Sequence, residues 1–454
     1  MTVLPQPSAA KATVHFRSLG CPKNRVDSEV MLGTLALGGY AVAERLDDAD
    51  VVVINTCSFI ESARQESIDA ILAVAELRET GRLRALIVAG CLPQRYGGEL
   101  SKELPEVDAF VGTGEFPRIA EILDGALAGR RGGVYVEAGS TYLLGARDPR
   151  ILVGPNHTAY LKIAEGCDRV CAFCAIPGIR GRFQSRTLES LLTEARQLSE
   201  AGVRELNLIA QDSTSWGKDL PASEAGGRPR LDAVLRGLDE VDGLDWIRLL
   251  YVYPSAVTDE LIAALASGRR VLPYVDVPLQ HASDSMLRAM KRGTTADRQR
   301  RLVERLRAEI PDVAIRTTFI VGFPGETDAD FEALCGFVRE SRFDRVGVFR
   351  YSDEEGTAAR DLPGKVSKRV ARERHRAILD LLRGLQAEKL AELVGHEVEV
   401  LVDAGGRDRA VARMRSQAPD IDGNVLLHGA AKTGDLLRAR ITAVRGADLD
   451  ATAI

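Results

Sequence analysis

Three cysteines stand within eight residues, in Cys167-Asp168-Arg169-Val170-Cys171-Ala172-Phe173-Cys174. Thiolates are soft ligands that suit zinc and iron–sulfur clusters. A closed zinc site uses four ligands, and an ordinary iron–sulfur site uses four cysteines. This segment supplies three, and the only other cysteine in the same part of the chain is Cys335. Three ligands on a four-iron cube leave one iron open to chelate a small molecule. The other reading of these residues is a zinc knuckle completed by a distant histidine.

Three more cysteines recur in a pattern. The apolar run Thr13–Leu19 ends at Gly20-Cys21 and precedes a helical stretch, Val26–Leu37. The run Val51–Asn55 ends at Cys57 and leads into Ile60–Leu77, and the run Ala85–Ala89 ends at Gly90-Cys91. Apolar runs of this length alternating with amphipathic helices predict βαβ units around a parallel sheet. Parallel strands align their carboxyl ends at one edge, where the sites of such sheets form. Cys21, Cys57 and Cys91 are therefore expected to converge. The plainer alternative is three separate buried cysteines.

Arg130–Asn156 is Gly-rich and reads as a linker with one hairpin. Beyond it, strands are expected at Ala159–Ala164, Glu205–Ala210, Ile247–Val252, Tyr274–Pro278, Ala314–Val321 and Arg345–Arg350, with helices such as Leu188–Glu200, Arg298–Glu309 and Ala329–Glu340 between them. Six βα units in a row predict a parallel barrel, complete or partial. Each conspicuous polar cluster follows a strand: Glu165-Gly166-Cys167, Gln211-Asp212, Gln280-His281 and Gly322-Phe323-Pro324-Gly325-Glu326. All should meet at one mouth. A charged helix over Lys368–Leu393 follows. The short runs Val398–Val402, Ala410–Met414, Asn424–His428 and Leu436–Thr442 then read as a small antiparallel β-barrel. The expected class is α/β, with an N-terminal parallel-sheet domain over 13–129, a linker over 130–156, a barrel core over 157–384 and a small β-barrel over 385–454.

Of 454 residues, 45% are apolar and 28% charged, an ordinary globular composition. No run reaches the roughly 20 apolar residues of a membrane helix. Met1–Ala12 lacks the basic start and apolar stretch of a secretory signal, so a frayed start and a cytoplasmic protein are expected. Seven cysteines in such a chain are not a disulfide framework. The net charge is −5, and Leu385–Ile454 holds nine Lys/Arg against eleven Asp/Glu. Nucleic-acid binders are usually basic.

Cys-x3-Cys-x-aromatic-Cys at the end of the first strand of a six-unit barrel resembles the radical S-adenosylmethionine (SAM) superfamily. The resemblance implies a 4Fe-4S cluster on Cys167, Cys171 and Cys174 whose open iron binds SAM. It implies reductive cleavage of SAM to a radical that takes hydrogen from an unactivated carbon, chemistry that the cofactor carries. Gly20-Cys21-Pro22-Lys23-Asn24 with Asp27-Ser28-Glu29, Ile54-Asn55-Thr56-Cys57, and Gly90-Cys91-Leu92-Pro93-Gln94 look like the N-terminal domain of the methylthiotransferases. By that resemblance Cys21, Cys57 and Cys91 hold a second 4Fe-4S cluster that carries the donated sulfur. The core is then a partial (βα)6 radical SAM barrel, and the small barrel resembles a TRAM domain.

Five stretches look like the RimO-like branch, which modifies an aspartate of ribosomal protein S-twelve. They are Leu19–Asn24, Glu165–Arg169, Val277–Ser283, Tyr351–Thr357 and Ala418–Gly423. A barrel that docks RNA should be basic, whereas an acidic face suits a basic ribosomal protein. The expected reaction is methylthiolation of an aspartate β-carbon in S-twelve, driven by an electron donor. The alternative is a tRNA adenosine.

Other residues carry two readings each. Gln211 and Asp212 contact SAM or cap the next turn. Gln280 and His281 line the mouth or serve structure. Gly322–Glu326 brings backbone close to a ligand or is turn chemistry alone. Lys23 and Asn24 hydrogen-bond the second cluster or cap the following helix. Cys335, in Asp330–Val338, reads as core packing. Lys365–Arg376, with six Lys/Arg plus His375, reads as a solvated helix face.

Overall fold

The computed structural model describes residues 10–79, 81, 83–139, 142–222 and 227–454. Most of the expected frayed start lies outside them. Its last residues are fastened: Lys11 pairs with Asp124 at 2.9 Å, and Ala12 is buried.

The first sheet is all parallel. Its strands are β1 (Thr13–Ser18), β2 (Ala41–Val42), β3 (Val51–Thr56), β4 (Ala85–Gly90), β5 (Ala109–Val111) and β6 (Gly133–Tyr135), in the order β2-β1-β3-β4-β5-β6. Helices α1 (Pro22–Leu37), α2 (Glu61–Glu79), α3 (Cys91–Glu103) and α4 (Ile119–Leu127) lie between them. Successive strand residues point to opposite faces. Val51 and Val53 thus pack with Met31 and Leu35 of α1 and Ile122 of α4, while Val52 and Ile54 pack with Ile71 of α2 and Leu100 of α3. Burial on both faces explains the unbroken apolar runs. The hairpin expected in Arg130–Asn156 is not found among its described residues. Gly133–Tyr135 instead pairs in parallel with β5, extending the first sheet; residues 140 and 141 lie outside the described residues.

The second sheet takes β7 (Thr158–Lys162), β10 (Glu205–Ile209), β11 (Trp246–Leu249), β12 (Val271–Asp276), β13 (Ala314–Val321) and β14 (Arg345–Arg350) side by side in chain order, all parallel. A short antiparallel pair, β8 (Ala164–Glu165) and β9 (Gln184–Ser185), brackets α5 (Ile176–Arg180). Helices α6 (Leu188–Glu200), α7 (Leu231–Asp239), α8 (Asp259–Ser267), α9 (Asp284–Ala289), α10 (Ala296–Glu309) and α11 (Asp328–Ser341) complete the units. Residues such as Leu161, Leu208 and Leu249 share an apolar core with helices including α6 and α7. Tyr160, Trp246 and Tyr274 join a second cluster, filled by Val26 and Val30 of α1 and by Ala418. The six strands form an open, partial barrel whose hollow receives a helix of the first domain.

After α12 (Lys368–Glu392), five strands close a small barrel: β15 (Glu397–Ala404), β16 (Arg409–Met414), β17 (Val425–His428), β18 (Leu436–Arg445) and β19 (Asp448–Ala453), in the order β15-β16-β17-β19-β18. Four pairings are antiparallel, and β17–β19 is parallel. This barrel is keyed to the larger one by Arg413, which reaches buried Glu205 at 2.7 Å; Arg248 reaches the same carboxylate at 3.1 Å.

Candidate active site

β1, β3 and β4 are neighbours, so the residues after them meet. Cys21 precedes the first turn of α1, Cys57 follows β3, and Cys91 opens α3 directly from β4. The approach is tight. Gly20 has φ +89°, and a Cβ there would stand 2.7 Å from the Cβ of Cys57. Asn24 ties the cluster of turns: its amide donates to the carbonyls of Leu19 (3.0 Å) and Thr56 (2.8 Å), and its Oδ1 lies 3.8 Å from Cys91 Sγ. Burial pushes the Cys57 thiol up and Cys91 up to about 12, the latter opposed by Arg180. Such thiols are poor nucleophiles but become ligands when a metal displaces the proton.

The second triad lies on the loop between β8 and α5. Gly166, at φ +78°, folds it back: a Cβ there would stand 2.1 Å from the Arg182 carbonyl oxygen. The Arg169 N–H donates to Cys167 Sγ (3.4 Å), and Arg292 Nη1 donates to Cys171 Sγ (3.2 Å). Arg169 is held by Asp212 at 2.6 Å, and both Arg169 and Arg292 stack on Tyr253, at 3.8 and 4.3 Å from its ring centre. Burial pushes Cys167 up to about 11 and Cys174 up to about 12. The three thiols open on a cavity of about 820 Å³, whose far wall includes Arg95 and Tyr96 of α3.

The two triads adjoin. Cys91 packs with Ala175 and Ile179, immediately beyond Cys174. From the same helix Arg180 reaches into the first domain, giving Nη1 to Asp27 (2.7 Å) and Nη2 to Asn24 (2.6 Å). Lys162 joins Asp27 (2.5 Å) to Glu165 (2.8 Å), all fully buried. Burial alone would raise the Glu165 carboxyl; Lys162 and Arg180 outweigh it and hold it at about 2. At the rim, Arg95 reaches buried Glu354 at 2.9 Å, so Tyr351–Thr357 clasps the first domain.

Among the described residues no group of three His, Cys, Asp or Glu side chains is arranged to hold a single metal ion. Three thiols on adjoining turns, at each of two places, are a donor set that a cluster with one open iron can take, since cluster ligands bind separate irons. Orphaned buried atoms mark the same mouth: Gln211 Oε1, Gln280 Oε1 and Arg292 Nε lack partners. Two acceptors and a donor suit a ligand as polar as SAM.

The other expected residues divide. Gln211 donates to Glu165 at 2.6 Å and keeps its oxygen free for a ligand, whereas Asp212 binds Arg169 and Ser215. His281 is structural: Nδ1 accepts from the Ser283 N–H (3.1 Å), so Nε2 carries the proton it donates to Glu326 (3.2 Å). Glu326 also accepts from Gly322 (2.6 Å), fixing that turn from within. Cys335 packs in the barrel core. The solvated-face reading of Lys365–Arg376 fails at Arg374, which is buried against Glu326 at 2.7 Å. Sequence reasoning missed Arg180 and Arg292, which carry no local signal, and Arg169, which the spacing between Cys167 and Cys171 could have flagged.

Three family models tile the chain: Uncharacterized protein family UPF0004 over residues 13–112, the Radical SAM superfamily over 161–338, and the TRAM domain over 394–454. Ribosomal protein uS12 methylthiotransferase RimO of Geobacter sulfurreducens is 49% identical over 96% of this chain and 97% of its own length. Its namesakes from Sorangium cellulosum and Myxococcus xanthus are 48% and 46% identical, over 96% and 97% of this chain and 90% and 92% of theirs. Among solved structures, the radical S-adenosylmethionine methyltransferase TsrM from Kitasatospora setae shares the fold. Its TM-score is 0.52 at 17% identity, over 74% of this chain and 72% of that one. With such identity along nearly its whole length, the chain belongs to the RimO family of methylthiotransferases, radical SAM enzymes that work with S-adenosylmethionine and 4Fe-4S clusters.

Proposed function

We propose that this enzyme adds a methylthio group to the β-carbon of an aspartate in ribosomal protein uS12, with one 4Fe-4S cluster on Cys167, Cys171 and Cys174 and a second on Cys21, Cys57 and Cys91. When bound, the clusters supply SAM cleavage and the sulfur to be transferred. The chain's own residues bind and orient. Gln211 and Gln280 offer acceptors to SAM, Arg169 is braced by Asp212 beside Cys167, and Arg180 sets a fixed positive charge next to the Cys91 thiol. An electron donor is required. The reading also places the enzyme in the cytoplasm with its substrate; among the described residues no helix is long and apolar enough to cross a membrane.

The observation that carries this reading is the junction of the triads, where Cys91 packs directly behind the Cys167–Cys174 loop. A protein substrate is favoured over tRNA by the mildly acidic C-terminal barrel and by the relatives' names. The test is a pair of triple variants. Alanine at Cys21, Cys57 and Cys91 should leave SAM cleavage under dithionite but abolish methylthio transfer. Alanine at Cys167, Cys171 and Cys174 should abolish both. Transfer that survives the first triple variant contradicts the assignment.

A further inference from the structure

Lys23 is the second residue of α1 and is 6% exposed. Its ammonium stands 3.0 Å from the centre of the Tyr251 ring. That contact satisfies one face of the charge and none of its three N–H donors. The neighbouring carboxylates are committed elsewhere. Glu165 takes Lys162 (2.8 Å) and Gln211 (2.6 Å), and Asp276 takes Arg316 (3.1 Å) and the Tyr251 N–H (3.1 Å). Among the described residues no ion pair or hydrogen bond joins Lys23 to an acceptor. An ammonium on so buried a side chain, left with no protein acceptor, is completed by an acceptor that arrives.

The setting says where. Tyr251 follows β11 at the barrel mouth and is held at φ +62°, a strained conformation for a tyrosine. Its N–H bond to Asp276 fixes the ring against Lys23. Cys21 and Tyr251 are both half-buried, so the ammonium lies just under a surface that solvent reaches. It stands between the first-domain triad and the mouth that gathers the second.

We propose that Lys23 is the specificity-determining group that binds the side-chain carboxylate of the substrate aspartate. This rests on the function proposed above. The carbon to be modified is bonded to that carboxylate carbon, so one ammonium–carboxylate pair both selects the residue and fixes the reacting carbon. A neutral nucleobase would offer the ammonium an acceptor but no countercharge.

The test uses the full chain with both clusters loaded. Mass spectrometry with the parent enzyme locates the modified aspartate of purified uS12, which is then replaced by asparagine. The parent should prefer aspartate over asparagine by about 10- to 100-fold in kcat/KM, the span of a charged hydrogen bond. Lys23→Met, which keeps length and packing against Tyr251, should retain the parent's iron and sulfide content, raise KM for uS12 and lose that preference. Lys23→Arg should retain part of it. A Lys23→Met enzyme with full iron and undiminished preference overturns the proposal. So does loss of iron in that variant, which would make Lys23 a cluster-positioning residue. A parent enzyme that modifies no aspartate of uS12 overturns both this proposal and the function beneath it.

Discussion

Arg180 donates to Asn24 at 2.6 Å, and this one bond ties the helix after the second cysteine triad to the helix that follows Cys21. The same guanidinium holds Asp27, which also takes Lys162. The two triads are thus set against each other by a buried, fully committed charge network rather than by a flexible hinge.

Breaking that network from one side should be expensive. Arg180→Met leaves Asp27 and Glu165 with Lys162 as their one shared cation among the described residues, and Asn24 Oδ1 with only the distant Cys91 thiol. Leaving a buried charge uncompensated costs about 3–5 kcal/mol. Urea unfolding should show a loss of that size, and the variant should surrender iron to a chelator faster than the parent. Unchanged stability would show that the network is not continuous in solution.

The two glycines that crowd the triads should be separable. Gly20→Ala forces a methyl into Cys57, and Gly166→Ala forces one into the Arg182 carbonyl, both at positive φ. Each variant is expected to reconstitute with half the parent's iron. Gly166→Ala should lose SAM cleavage, and Gly20→Ala should keep it. Full iron in either variant contradicts the corresponding placement.

Much of this arrangement was legible in the chain. The contiguous apolar runs before Cys57 and Cys91 announced parallel strands buried on both faces, the mixed run before Cys21 joined them as a third, and the parallel-sheet rule then brought the thiols together. Strands with weak patterns were not legible. β5 and β6 are three residues long, and β19 reads Asp-Leu-Asp-Ala-Thr-Ala, whose aspartates mask its alternation. The start of α1 was missed because its first turn, Pro22 to Arg25, is polar. That turn is largely buried because α1 is wedged between two domains. Long-range partners such as Arg180 and Arg292 leave no local trace; only the fold puts them beside thiols.

Glu205 gives a pH signature. Burial opposes its charge, but Arg413 and Arg248 outweigh burial and hold the carboxyl at about 2, below the ordinary 4.5. A carboxyl lowered on folding contributes stability that is complete above about 4.5 and is lost as pH falls toward 2. Glu205→Gln should cost about 3–5 kcal/mol at neutral pH by leaving buried Arg248 without a carboxylate and Arg413 with Asp403 alone. The gap between variant and parent in urea midpoint should narrow as pH drops from 5 to 2.5. A constant gap over that range contradicts the assignment.

Arg292 donates to Cys171 Sγ at 3.2 Å and to the Pro278 carbonyl at 2.7 Å. Hydrogen bonds to cluster sulfurs favour the reduced, more negative state. Arg292→Met should therefore shift the midpoint potential of the SAM-binding cluster to more negative values in an EPR-monitored titration. An unmoved potential would assign Arg292 to packing on Tyr253 alone.

The most direct test of the central claim is anaerobic reconstitution followed by incubation with SAM, dithionite and either purified uS12 or tRNA, read by mass spectrometry. The account predicts a methylthio mass gain on one aspartate of uS12 and none on tRNA. A gain on tRNA alone, or none on either with both clusters loaded, would contradict it.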